Sequence, residues 1–151
     1  MAKFRPVLTL TVIILLGTCL AGSFAASESL QETELSGRVI RVILADDHAL
    51  MRDGLKALLE REPNIRIVGE AATGREAVEM SASLHPDVVI MDIAMPGLNG
   101  IDATRRILDA SSSTKVIAVS MHTGERMVAE MLRAGASGYV SKLAAFDQVV
   151  G

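Results

Sequence analysis

Five short apolar runs separated by helix-period segments constrain this chain more than any other feature. Val42-Ile43-Leu44-Ala45, Ile65-Arg66-Ile67-Val68, Val88-Val89-Ile90-Met91, Val116-Ile117-Ala118-Val119 and Gly138-Tyr139-Val140 have the length of strands, and the middle ones are continuous enough to be buried on both faces. Between them, Met51, Leu55, Leu58 and Leu59 fall on one face of a first helix, and Ala77, Met80, Ser81 and Leu84 on one face of a second. Ile101, Arg105 and Leu108 mark the third, and Val128, Met131 and Leu132 the fourth. Regular alternation of this kind predicts an α/β fold, a doubly wound five-stranded parallel sheet with right-handed crossovers. Ligands of such sheets bind at the carboxyl ends of the strands.

That rule gathers the chemistry. Asp46 and Asp47 follow the first strand, Asp92 the third, Ser120 the fourth and Lys142 the fifth. Three carboxylates in one place repel one another unless a cation intervenes. Mg²⁺ suits the role, since it takes oxygen ligands, uses few protein carboxylates and keeps positions open for water and a phosphoryl group. Lys142 adds a compact positive charge for phosphoryl oxygens, and Ser120 a hydroxyl that can hydrogen-bond one of them.

Composition removes several competitors. The net charge is −3 and the basic residues are scattered, so no nucleic-acid footprint is visible and direct binding of nucleic acid is not expected. Aromatic residues make up 3% of the chain, too few for base-stacking platforms. The single cysteine, Cys19, cannot form an internal disulfide, and no Cys/His spacing suits zinc. Neither a P-loop nor a GxGxxG fingerprint occurs.

Four stretches together resemble the response-regulator receiver (CheY-like) family over residues 39 to 150. They are Leu44-Ala45-Asp46-Asp47-His48, Met91-Asp92-Ile93-Ala94-Met95-Pro96-Gly97-Leu98-Asn99-Gly100, Val119-Ser120, and Ala134-Gly135-Ala136-Ser137-Gly138-Tyr139-Val140-Ser141-Lys142. The wording from Ala45 to Leu55 is most similar to the NarL/FixJ (LuxR-type) subgroup, whose regulators usually carry a C-terminal helix-turn-helix domain. The resemblance implies a flavodoxin-like receiver fold with Asp92 as phosphoacceptor. It implies Mg²⁺ held by Asp47, Asp92 and the backbone carbonyl of Ala94, with Asp46 assisting through water. Ser120 and Tyr139 would form the switch pair. The implied partners are a sensor histidine kinase or phosphotransfer protein, and a second receiver docked through the fourth and fifth helices.

Plainer readings stand beside these. Asp47 is also placed to cap the first helix, and His48 is expected as a surface residue at that helix start. His122 is a candidate for positioning water near the phosphoryl group. Met95-Pro96-Gly97 is expected to shape the loop under the acceptor, Gly135 to end a helix in the left-handed conformation, and the methionines to fill the core. An aspartate-nucleophile phosphatase would need a second Asp two residues after the nucleophile, where this chain has Ala94, so no enzyme is expected. A receiver-like fragment acting only by interaction is the other alternative.

Residues 1 to 26 carry Lys3 and Arg5, an apolar run from Val7 to Leu20 and a small-residue stretch ending Ala25-Ala26. This has the layout of a signal peptide, and it also has the length of a membrane span. A start at Val39 would make it an upstream extension. Residues 27 to 38 are a polar linker, and residues 39 to 151 are expected to be the receiver domain. A cytoplasmic location follows if residues 1 to 26 do not translocate; export or anchoring is the alternative. Only Ala145 to Gly151 remain for a fifth helix, about two turns, so that helix is expected to be truncated.

Overall fold

The computed structural model describes residues 38–121 and 124–144. The expectations for residues 1 to 37, for His122 and for the truncated last helix lie outside the described residues. The elements are β1 (Ile40–Ala45), α1 (Ala49–Leu59), β2 (Ile65–Ala71), α2 (Gly74–Leu84), β3 (Val88–Asp92), α3 (Gly100–Ala110), β4 (Lys115–Ser120), α4 (Glu125–Arg133) and β5 (Gly138–Ser141). All the pairings are parallel, in the order β2-β1-β3-β4-β5. The order reverses between β1 and β3, the place where such sheets open a crevice for ligands. Among the described residues no helix is long and apolar enough to cross a membrane.

Side chains alternate across the sheet, and the alternation divides the core in two. Ile40, Val42, Leu44, Val88, Ile90, Ile117 and Val119 pack with Met51, Leu55, Leu58 and Leu59 of α1. Ile43, Ala45, Val89, Met91, Val116 and Ala118 pack on the other face with residues of α2, α3 and α4. One irregularity interrupts the β1–β2 pairing. Val42 pairs with Ile67 but Ile43 with Gly69, so Val68 is an extra residue in β2. Such a bulge resets which side chains face which layer.

Local signals account for the helix ends. Thr73 Oγ1 accepts from Glu76 N at 3.2 Å while Glu76 Oε2 accepts from Ala72 N at 2.8 Å, a reciprocal cap on α2. Asn99 Oδ1 accepts from Asp102 N at 2.9 Å to start α3. α2 ends on His85 at φ 47°, a non-glycine residue in the left-handed region directly before Pro86, where proline disfavours a helical predecessor. After α4, Gly135 stands at φ 104°. Ala136 N donates to Met131 O at 3.1 Å and Gly135 N to Leu132 O at 3.0 Å. The pair of bonds closes the helix end in a Schellman motif, the left-handed termination expected at Gly135.

Three sequence expectations need correction. The inward face of α3 centres on Gly100, Ala103, Thr104 and Ile107; Ile101 and Leu108 flank it, partly buried against the core, whereas Arg105 is exposed. Small side chains face in because this helix packs close to the backbone: a Cβ on Gly100 would fall on the Asp92 carbonyl. Arg105 points outward, donating to Asp102 Oδ1 at 2.7 Å, and counting apolar residues alone misses a stripe made of Gly, Ala and Thr. On α4, Met131 is fully buried but Leu132, one helical step away, is 48% exposed. Asp47 does not cap α1, for the cap position is His48. Asp46 Oδ1 accepts from His48 N at 2.9 Å, an Asx-type turn that delays the helix by one residue. The methionines Met51, Met91, Met95 and Met131 are buried in the core as expected.

Candidate functional site

The carboxyl edge of the sheet receives two buried acids and a buried base. Asp46 follows β1 at 2% exposure, Asp92 ends β3 at 3%, and Lys142 follows β5 at 2%. Lys142 Nζ lies 2.6 Å from Asp46 Oδ2 and 3.1 Å from Asp92 Oδ2, so one ammonium bridges both carboxylates. The contact with Asp46 is the shorter of the two and is an ion pair. Burial pushes the Asp92 carboxyl above its ordinary value, opposed by the charge and hydrogen bond of Lys142 and reinforced by the charge of Asp46. A carboxylate held so is short of stabilising partners.

Asp47 stands on the solvent side of this pair. Its Oδ1 is 2.9 Å from His48 Nδ1, which also lies 3.3 Å from Asp46 Oδ1. One donor atom from each of Asp46, Asp47, His48 and Asp92 lies within 4.8 Å of the others. The carboxylate oxygens of this cluster are donors of the kind a hard dication such as Mg²⁺ takes.

The loop after Asp92 is folded tightly under it. Met95 N donates to Ile93 O at 3.2 Å, and Gly100 N to the same oxygen at 2.9 Å. Gly97 takes φ 76°, so the Pro-Gly stretch shapes the loop as expected. Ala94 comes to the site through its backbone N–H, 3.4 Å from Asp92 Oδ1. Ser120 is buried at the end of β4, and Tyr139 is partly buried on β5 against the α2–α3–α4 face of the core. Ala118 pairs with Tyr139 and Ser120 with Ser141, so the two expected switch residues lie on neighbouring strands, offset by one pleat.

Arg52 was not anticipated. Its Nη1 donates to the Asp46 carbonyl at 2.6 Å, and its Nε lies 3.9 Å from Glu70 Oε2 on β2. Glu70 also accepts from Lys56 Nζ at 2.6 Å. α1 is thereby fastened to β1 and β2 beside the acids. The available signal was spacing: Arg52 is one turn beyond His48, whose carbonyl accepts its N–H at 3.1 Å.

The model of the response regulator receiver domain matches residues 42–151. Response regulator UvrY of Escherichia coli strain K12 is 43% identical over 112 residues, 74% of this chain and 51% of UvrY. The chain thus spans about half the length of that curated relative, as it does of response regulator GacA of Pseudomonas viridiflava. Among solved structures, the signal receiver domain of NarL from Mycobacterium tuberculosis aligns with a TM-score of 0.70 at 31% identity, covering 75% of this chain and 91% of that one. A chain of the CheX–CheY–BeF₃–Mg²⁺ complex from Borrelia burgdorferi aligns with a TM-score of 0.66 at 28% identity, covering 76% and 89%.

Proposed function

Because this chain belongs to the response regulator receiver family of two-component systems, we propose that Asp92 is its phosphoacceptor and that phosphorylation there is its output. Receivers of this family work with histidine kinases or phosphotransfer proteins. The observation that carries the reading is the buried triad Asp46–Lys142–Asp92 at the edge of the sheet, with Lys142 Nζ 2.6 and 3.1 Å from the two acids. A buried carboxylate raised above its ordinary value is a poorly solvated nucleophile beside a fixed cation.

An oxygen of Asp92 attacks the phosphorus of a phosphohistidine in line. The O–P bond forms as the N–P bond breaks, and the imidazole leaves and takes up a proton. Lys142 holds charge on the transferred oxygens, and the Ser120 hydroxyl donates to one of them. Tyr139 on the neighbouring strand follows Ser120 as the second half of the switch. Asp47, Asp92 and the Ala94 carbonyl would hold Mg²⁺, with Asp46 acting through water; bound there, the ion neutralises charge on the phosphoryl group. The Mg²⁺ named with the CheX–CheY complex supports this assignment.

The phosphorylatable unit in this reading is residues 39–151, a non-enzymatic and cytoplasmic module that does not itself contact nucleic acid. It pairs with a second receiver through the face carrying α4, where Leu132 is half-exposed. The test is mass spectrometry after incubation of the native chain and Asp92→Asn with acetyl phosphate or phosphoramidate. One phosphoryl group is expected on the native chain, only with Mg²⁺, and none on the variant. Equal labelling of both would overturn the assignment.

A further inference from the structure

Asp46 and Asp47 stand between β1 and α1, outside both elements, so individual bonds rather than a regular ladder aim their carboxylates. Asp46 N donates to Ala71 O at 3.0 Å, and Asp46 Oδ1 accepts from His48 N at 2.9 Å. The carbonyl between the two acids is held by Arg52, whose Nη1 donates to it at 2.6 Å. That carbonyl shares one rigid plane with the Asp47 N–H. Its direction therefore sets the plane from which Asp47 departs.

Arg52 makes this contact at a local disadvantage. Its side chain is only 18% exposed, yet Nε, buried and 3.9 Å from Glu70 Oε2, makes no hydrogen bond. Fastening α1 to β2 alone would be met by a two-pronged pairing of the guanidinium with Glu70. Glu70 instead gives its short contact, 2.6 Å, to Lys56. A buried N–H without an acceptor is destabilising, and residues that break a local rule in this way gather at functional sites.

Resting on the reading of Asp92 as phosphoacceptor, we propose that Arg52 is a positioning residue for that phosphoryl transfer. It touches no reacting atom and acts through the Asp46–Asp47 peptide. By fixing the carbonyl it keeps the Asp47 carboxylate turned toward Asp92, where both offer oxygens to Mg²⁺. Without the guanidinium the peptide is free to turn, and the oxygen set opens.

The experiment compares the full chain with its Arg52→Gln, Arg52→Lys and Glu70→Gln variants. Labelling of Asp92 by acetyl phosphate is timed over a range of Mg²⁺ concentrations, Mg²⁺ binding without donor is measured by calorimetry, and urea unfolding is followed for each. Arg52→Gln, too short to reach the carbonyl, should need about tenfold or more Mg²⁺ for half-maximal labelling and bind the ion correspondingly more weakly. Arg52→Lys, which keeps a charged donor of nearly the same reach, should fall between it and native protein. Glu70→Gln should lower the urea midpoint and leave the Mg²⁺ requirement unchanged. Equal Mg²⁺ requirements for native protein and Arg52→Gln overturn the proposal. So does an equal rise in Arg52→Gln and Glu70→Gln, or an Arg52→Gln chain that no longer folds, since either would make Arg52 a structural fastening. If native protein takes up no phosphoryl group, the Asp92 reading itself falls, whereas native labelling with an Arg52-indifferent Mg²⁺ requirement sinks this inference alone.

Discussion

The two ends of the parallel sheet treat buried polar groups in opposite ways. At the amino end, Asp87 accepts from Arg41 N at 2.9 Å and from Arg38 Nη2 at 2.7 Å, and the buried Thr114 hydroxyl donates to Pro86 O at 3.0 Å. Backbone bonds from Asp87 N to Arg41 O and from Lys115 N to Asp87 O, both 2.9 Å, tie the strand starts together. Each group has a partner with good direction, as buried polar groups in stable proteins do. At the carboxyl end, two buried acids share one lysine, and Asp92 is shifted toward its protonated form. One end spends its polar groups on architecture; the other keeps them for a reactant.

The comparison is broken most forcefully at Lys142. Replacing it with Met leaves Asp46 and Asp92 buried without their cation, a change expected to cost about 3–5 kcal/mol, a large part of a typical domain's about 5–15 kcal/mol. Urea unfolding should show the loss, and Asp92→Asn on that background should recover part of it. A cost below about 1 kcal/mol would mean that the ammonium is not neutralising these acids.

Thr114→Val probes the opposite end. It leaves Pro86 O without its donor and should cost about 1–2 kcal/mol. Acetyl phosphate labelling of Asp92 should be unchanged, since the hydroxyl lies at the far edge of the sheet. A fall in labelling with the fold intact would show that the two ends are coupled.

The smallest effect has the opposite sign. Asp92 is raised above its ordinary value of 3.8 by burial, so the folded state binds its proton more tightly than the unfolded chain. Its charge therefore weakens the fold at neutral pH, and the penalty is relieved as pH falls through the folded value toward 3.8. Asp92→Asn should raise the thermal midpoint by a few degrees at pH 7, with native protein gaining on the variant as the solution is acidified through that window. A lower midpoint for the variant at pH 7 would place Asp92 among the structural groups.

The sheet, its strands and the gathering of Asp46, Asp92, Ser120 and Lys142 at one edge were legible because strand period and the carboxyl-end rule depend on sequence order alone. Faces made of small residues were not. α3 turns Gly100, Ala103 and Thr104 inward because close backbone approach, not apolarity, selects them. Arg52 and the back-turned ring of His48 were also hidden, since both act through side-chain directions at a helix start that moved by one residue when Asp46 took the His48 N–H. Those directions depend on where the first helix begins, which residue types alone left ambiguous between Asp47 and His48.

The hairpin-like loop between Asp92 and α3 carries a lesson for protein engineering. Its two sides are fastened to a single atom, the Ile93 carbonyl oxygen, by Met95 N and Gly100 N, and its far flank is pinned where Gly74 lies against the Leu98 backbone. Length is therefore a fixed quantity on both flanks. Ala94, Pro96, Gly97 and Asn99 are exposed, while Met95 between them is buried. A fluorophore joined at the exposed Pro96, and not at Gly97, whose φ of 76° strains any side chain, would ride on a bracket a few residues from the acceptor, outside the packing that holds it.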